Sequence, residues 1–149
     1  LFPYTTLFRS KVHSYAKLIA ETENVDKECL FIIEAAALTH DIGIHFCEEK
    51  YGNCNGKLQE KEGPAIAEKM LKELGFDQDV SERVQYLIAH HHTYNNIDEI
   101  DYQILVEADF LVNIMEDGLS KEAALKAYES IFKTTCGKMI CMEMFDFCS

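Results

Sequence analysis

Ala35-Ala36-Ala37-Leu38-Thr39-His40-Asp41-Ile42-Gly43-Ile44 is the stretch whose reading decides the fold. Its small and apolar lead-in has the character of a buried helix, which Gly43 is expected to end. An imidazole and a carboxylate at the end of a buried helix are costly to leave without a partner. Backbone groups of the helix terminus could bond them. A divalent cation could instead satisfy both at once, through imidazole nitrogen and carboxylate oxygen. The second reading gains from every further ligand of the same kind that the chain supplies.

Working outward, the chain reads as helix after helix. Upstream, Val12, Ala16 and Ile19 share one face of a helix expected over residues 11–24, and Asp26 is placed to cap the helix that carries the central stretch. Downstream, residues 45–61 change character. Glycine and asparagine mark turns there, and a loop of that length in a small domain is more often functional than not. Gly63-Pro64 is then expected to open a helix with an apolar stripe of Ile66, Ala67, Met70, Leu71 and Leu74, stopped at Gly75. Asp77 is expected to cap another, in which Val80, Val84, Leu87 and Ile88 line one side, and it runs into His90-His91-His92. A long helix follows over about residues 98–116, with Asp109 beside its broad apolar face. Ser120 can cap a further helix, and the Met-rich end, residues 139–147, should dock on the body. No repeat, linker or strand pairing is evident, so the expected fold class is all-α, one helical domain with short connections.

Composition narrows the function. The chain has 149 residues, one domain's worth, and 48% hydrophobic content is enough for a sizeable core. Lysine plus arginine number 14 against 26 acidic residues, a formal charge of −12. That argues against a nucleic-acid polymer as partner, whose phosphates need clustered cations. It leaves room for a small phosphorylated substrate, because a bound metal reverses the local sign. No run looks long and apolar enough to span a membrane, and no secretion signal is evident, so no membrane partner and a cytoplasmic location are expected. The six cysteines form no C-x-x-C, and reduced thiols are the expectation. Residues 1–10 stand apart. They lack the pattern that follows, and they resemble the conceptual translation of a sequencing-adapter oligonucleotide. They are read as a non-native segment, with the domain taken as residues 11–149.

Ligand-type residues recur in order: His40-Asp41, the run His90-His91-His92, and Asp109. That ordered set, in Ala36-Ala37-Leu38-Thr39-His40-Asp41-Ile42-Gly43, Ile88-Ala89-His90-His91-His92 and Val106-Glu107-Ala108-Asp109, resembles the HD-domain superfamily over about residues 11–133. The run Gln59-Glu60-Lys61-Glu62-Gly63-Pro64 and the ending Ile131-Phe132-Lys133-Thr134 further resemble a branch of small, stand-alone bacterial members. The resemblance implies a single orthogonal helical bundle around a divalent metal: Mn, Fe, Mg, Ni, Co or Zn. His40, Asp41 and Asp109 match metal ligands, and two of the histidine run, taken as His90 and His91, would complete a two-metal site with His92 close behind. Where many two-metal members carry a histidine, this chain has Gln59; Glu62 or Glu60 could serve instead. Glu62, with Asp41, is also a candidate catalytic carboxylate. The family's first histidine falls at position 8, here Phe8, and His13 is an off-register substitute. Lys57, Lys61 and Lys133 are candidate contacts for a substrate phosphate. The activity implied is metal-dependent hydrolysis of a phosphomonoester or nucleotide. The alternatives are a metal- or nucleotide-binding module without turnover and a di-iron oxygenase.

Overall fold

Side-chain caps set four of the helix starts. The structure is a computed structural model that describes residues 2–146; Leu1 and the C-terminal Phe147, Cys148 and Ser149, part of the segment expected to dock, lie outside the described residues. Eight helices follow one another within it: α1 (Phe2–Thr22), α2 (Lys27–Thr39), α3 (Ile44–Tyr51), α4 (Gly56–Glu73), α5 (Gln78–His90), α6 (Ile100–Asp117), α7 (Lys121–Ser130) and α8 (Thr135–Phe145). No strand occurs among the described residues. Asp26 caps α2 by accepting from the Cys29 N–H, Asn55 caps α4 through Leu58, Ser120 caps α7 through Ala123, and Thr134 caps α8 through Gly137.

α2 and α6 form the middle. Ile33, Ala36 and Ala37 of α2 are fully buried, and the small side chains of the two alanines let α1, α5 and α6 close around it. α1 packs on α2 and α6, α4 on α5, and α3 on α4, while α7 and α8 close the far end. Two glycines hold the turn after α2 close to its neighbours. A Cβ on Gly43 would lie 3.1 Å from the Gly63 backbone, and one on Gly63 would lie 2.8 Å from Ile88 Cγ2.

Several boundaries differ from the sequence expectation. α2 stops at Thr39, with His40 as its C-cap, and Gly43 heads α3 in a right-handed helical conformation. That glycine is therefore needed for close packing on Gly63, not as a left-handed stop. Residues 45–61 are not a long loop. Most belong to α3 and the first turns of α4, and the connection is only residues 52–55, where Gly52 turns the chain at φ 71°. The charged run Glu48-Glu49-Lys50 resembles a loop because α3 buries only Cys47. Pro64 lies inside α4 instead of opening it, because Asn55 starts the helix earlier. α1 likewise begins before Lys11, and Phe8 packs against the core. By length and composition the stretch Lys27–Tyr51 is apolar enough to cross a membrane, contrary to the sequence reading. In the fold it breaks between α2 and α3 and supplies core residues of the bundle.

α6 is buried on all sides from Asp101 to Asp109, so each polar group there needs a partner. Asp101 takes two hydrogen bonds from Arg83, at 2.8 and 2.6 Å. Glu107, fully buried, accepts from the N–H groups of Lys133 and Thr134, the Thr134 hydroxyl and the Gln103 amide. It thereby ties the α7–α8 turn to the core, and Gly137 passes so close that a Cβ there would collide with its carboxylate. Glu107→Ala would strand several buried donors at a cost of about 1–3 kcal/mol each. A loss of stability above about 3 kcal/mol is expected in urea unfolding; a loss below about 1 kcal/mol would mean that the turn is held by other contacts.

Candidate metal centre

Two helix ends and one helix middle converge on a single point. α2 delivers His40 at its C-cap and Asp41 just beyond, α5 delivers His91 at its C-cap, and α6 delivers Asp109. All four side chains are buried, the two histidines completely. His40 Nε2 lies 3.2 Å from Asp41 Oδ2 and 3.4 Å from Asp109 Oδ1, and His91 Nε2 lies 3.9 Å from Asp41 Oδ1. Ligand atoms held about 2.0–2.2 Å from a common ion stand roughly 3–3.5 Å apart, so this spacing already suits one cation.

The ring tautomers point the same way. His40 Nδ1–H donates to the Ala37 carbonyl at 2.8 Å, and His91 Nδ1–H donates to the Ile88 carbonyl at 2.7 Å. In the neutral rings, Nε2 is then the atom with the free lone pair, as in metal-binding histidines oriented by a backbone carbonyl. Both Nε2 atoms are buried and neither has a hydrogen-bond partner among the described residues.

Burial alone would depress His40, but the carboxylates of Asp41 and Asp109 outweigh it and hold the ring well above its ordinary 6.5. Burial would raise Asp41, yet the facing His40 charge holds its carboxyl down at about 2. Burial, and then the charge of His40, push His91 down to about 4. Without a cation, the two carboxylates thus favour the protonated form of His40, and burial favours the neutral form of His91. The His40 pairing stabilises the metal-free fold fully below 6.5 and is lost as pH rises through its raised value. The Asp41 contribution is present above 3.8 and is lost as pH falls towards about 2. A cation needs His40 Nε2 bare, so uptake at pH 7 should release about one proton. Calorimetric titration of stripped protein with Mn²⁺ in buffers of different ionisation enthalpy checks this. An enthalpy independent of the buffer would remove His40 from the ligand set.

The histidine run enters in a different register from the expected one. Asp41, His91 and His92 place their ligand atoms within 4.8 Å of one another. His90 is turned away. Its Nδ1–H donates to the Tyr86 carbonyl at 2.7 Å, its ring packs on Tyr86 at 4.3 Å, and its carbonyl accepts from the Tyr102 hydroxyl at 2.8 Å. His90 still belongs to α5, whereas the chain turns at His91 and brings His91 and His92 inward. The His92 ring sits over Gly56, where a Cβ would come within 2.9 Å of its Cγ. Glu60 Oε1 accepts from the His92 N–H at 3.1 Å and the Thr93 hydroxyl at 2.8 Å, so Glu60 fixes the turn. Gln59 is buried with its Oε1 3.2 Å from His92 Nε2.

The site is the floor of a cleft of about 240 Å³ whose lining includes Phe8, Asp41, Gln59, His92 and Asp109. The sequence model of the HD domain matches residues 11–130 of this chain. The chain belongs to the HD-domain family. Among curated proteins and among solved structures, nothing was found to match it.

Other expected site residues of this HD domain lie elsewhere. Glu62 accepts from the Tyr51 hydroxyl at 2.5 Å and the Lys50 ammonium at 3.4 Å, and it lines a separate groove with His45 and Phe46. The unforeseen α3 supplies those partners and draws Glu62 off the cleft. Lys57 is exposed, 3.6 Å from Glu60, and Lys61 stands 3.7 Å from Glu62 and over the Tyr51 ring. Lys133 borders a groove on α8. None of the three lysines lines the cleft. His13 is engaged with Glu34 at 2.9 Å, while Phe8, the position of the family's first histidine by resemblance, has its ring 6.4 Å from that of His40. The sequence reading missed two further lining residues, Asn113 and Asp117. They stand four and eight residues after Asp109 on α6, a same-face spacing that was legible.

Proposed function

We propose that this HD domain is a metal-dependent phosphohydrolase acting on a small phosphomonoester or nucleotide. The observation that carries the reading is the pair of buried Nε2 atoms of His40 and His91, which make no hydrogen bond among the described residues, beside the carboxylates of Asp41 and Asp109. Mixed nitrogen and oxygen donors suit Mn, Fe, Mg, Ni, Co or Zn. When bound, such an ion supplies Lewis acidity, acidifying water and offsetting phosphoryl charge. The chain's own part is preorganisation. The Ala37 and Ile88 carbonyls fix the imidazoles before any ligand arrives, and Asp41, which lines the open cleft, would orient the attacking water.

The test is turnover of a phosphoester panel by Mn²⁺-loaded protein, with loss of activity in EDTA. Phe8 and Gln59 favour a second reading, a metal- or nucleotide-binding module without turnover, since neither is a good ligand where the family's pattern has histidine. Metal-loaded protein that hydrolyses nothing yet binds nucleotides tightly would support that module.

A further inference from the structure

We infer that Asn113 and Asp117 select the substrate of this cleft, admitting a single phosphate on a hydroxyl-bearing body, the sugar monophosphates. The inference rests on the phosphohydrolase reading and names its substrate class. Asp109, Asn113 and Asp117 are spaced four apart on α6, and all three line the same cleft. Each step rises about 6 Å along the helix, so they form a ladder from the metal floor to the mouth. Exposure follows that order: Asp109 is buried, Asn113 is half-buried and Asp117 is exposed. Neither the Asn113 amide nor the Asp117 carboxylate has a side-chain hydrogen bond among the described residues.

The charge of the wall decides what fits. Among the described residues, those lining the cleft include Asp41, Asp109 and Asp117 but no lysine or arginine. Two cations of α1 stand outside that lining: Arg9 Nη2 donates to the Asp41 carbonyl at 3.0 Å, with its Nε buried and without a hydrogen-bond partner, and Lys11 pairs with Glu116. One phosphate can be neutralised at the metal floor. A second or third would lie along a wall that offers only an amide and a carboxylate, with like charge at the mouth. Sugar hydroxyls suit that wall. An amide both donates and accepts, and a carboxylate accepts from hydroxyls. The class covers a free sugar phosphate and a nucleoside monophosphate alike, since both present the same groups at the same distance from the phosphate.

The experiment compares ribose 5-phosphate, AMP, ATP and phenyl phosphate with Mn²⁺-loaded chain, reading kcat/KM and, by calorimetry, Kd. Ribose 5-phosphate and AMP should exceed both phenyl phosphate and ATP. Asn113→Leu should cut the ribose 5-phosphate to phenyl phosphate ratio about tenfold, the loss expected for one hydrogen bond. Asp117→Lys should raise the ATP to AMP ratio by a similar factor, with metal content unchanged in both variants. Ratios that stay fixed in both variants, or ATP preferred by the unaltered chain, would overturn the inference. If no ester is turned over, the phosphohydrolase reading falls, and the Kd ratios still judge the selectivity of the cleft. A preference for ribose 5-phosphate in binding supports it, and equal binding of all four overturns it.

Discussion

Asp41→Ala is expected to abolish stoichiometric metal binding. Asp41 is the carboxylate shared by both buried imidazoles, with Oδ2 3.2 Å from His40 Nε2 and Oδ1 3.9 Å from His91 Nε2. Removing it leaves Asp109 as the remaining carboxylate beside His40 and opens the floor of the cleft to water. The loss should exceed the roughly 10–100-fold that follows removal of an outer-shell partner. Asp41→Asn keeps the volume while removing the charge, so a failure to fold cannot be mistaken for a failure to bind. The control is His45→Ala, since the His45 ring is exposed and stands 3.3 Å from Glu49. Metal analysis of the purified proteins decides it. Equal metal in the Asp41 and His45 variants would dismantle the centre described above.

Phe8→His should tighten metal binding, by at least the order of 10–100-fold. Val12, four residues on, is fully buried, so residue 8 faces inward one turn earlier on the same helix. The structure places the Phe8 ring 6.4 Å from the His40 ring and in the lining of the cleft. A phenyl ring fills that space but offers no donor. His13→Ala should change metal affinity little, because His13 is occupied with Glu34 at 2.9 Å. An unchanged Kd for Phe8→His, together with metal loss in His13→Ala, would reverse the assignment.

The helical class was legible because apolar spacing and caps are local. Asp26 and Ser120 cap α2 and α7 as read, and Val12, Ala16 and Ile19 lie buried on one face of α1. His40, Asp41 and Asp109 were legible as a set through their order along the chain and its resemblance to a family. The boundaries around α3 and α4 were misread, because Gly43, Gly63 and Pro64 were given local meanings. Two of those residues serve contacts between elements. Gly43 must lie on Gly63, and Gly63 must clear Ile88.

The sequence by itself determined an all-helical chain, a candidate set of metal ligands and the inward register of position 8. Only the tertiary structure decided which histidines of the run face the site, where Glu62 and the lysines go, and what lines the cleft. The His90 carbonyl is taken by Tyr102 of α6, and the His92 backbone is held by Glu60 of α4, 32 residues away in the chain. Such contacts depend on where separate helices cross. No local pattern of spacing encodes a crossing, so three adjacent histidines look alike until α4, α5 and α6 are packed together.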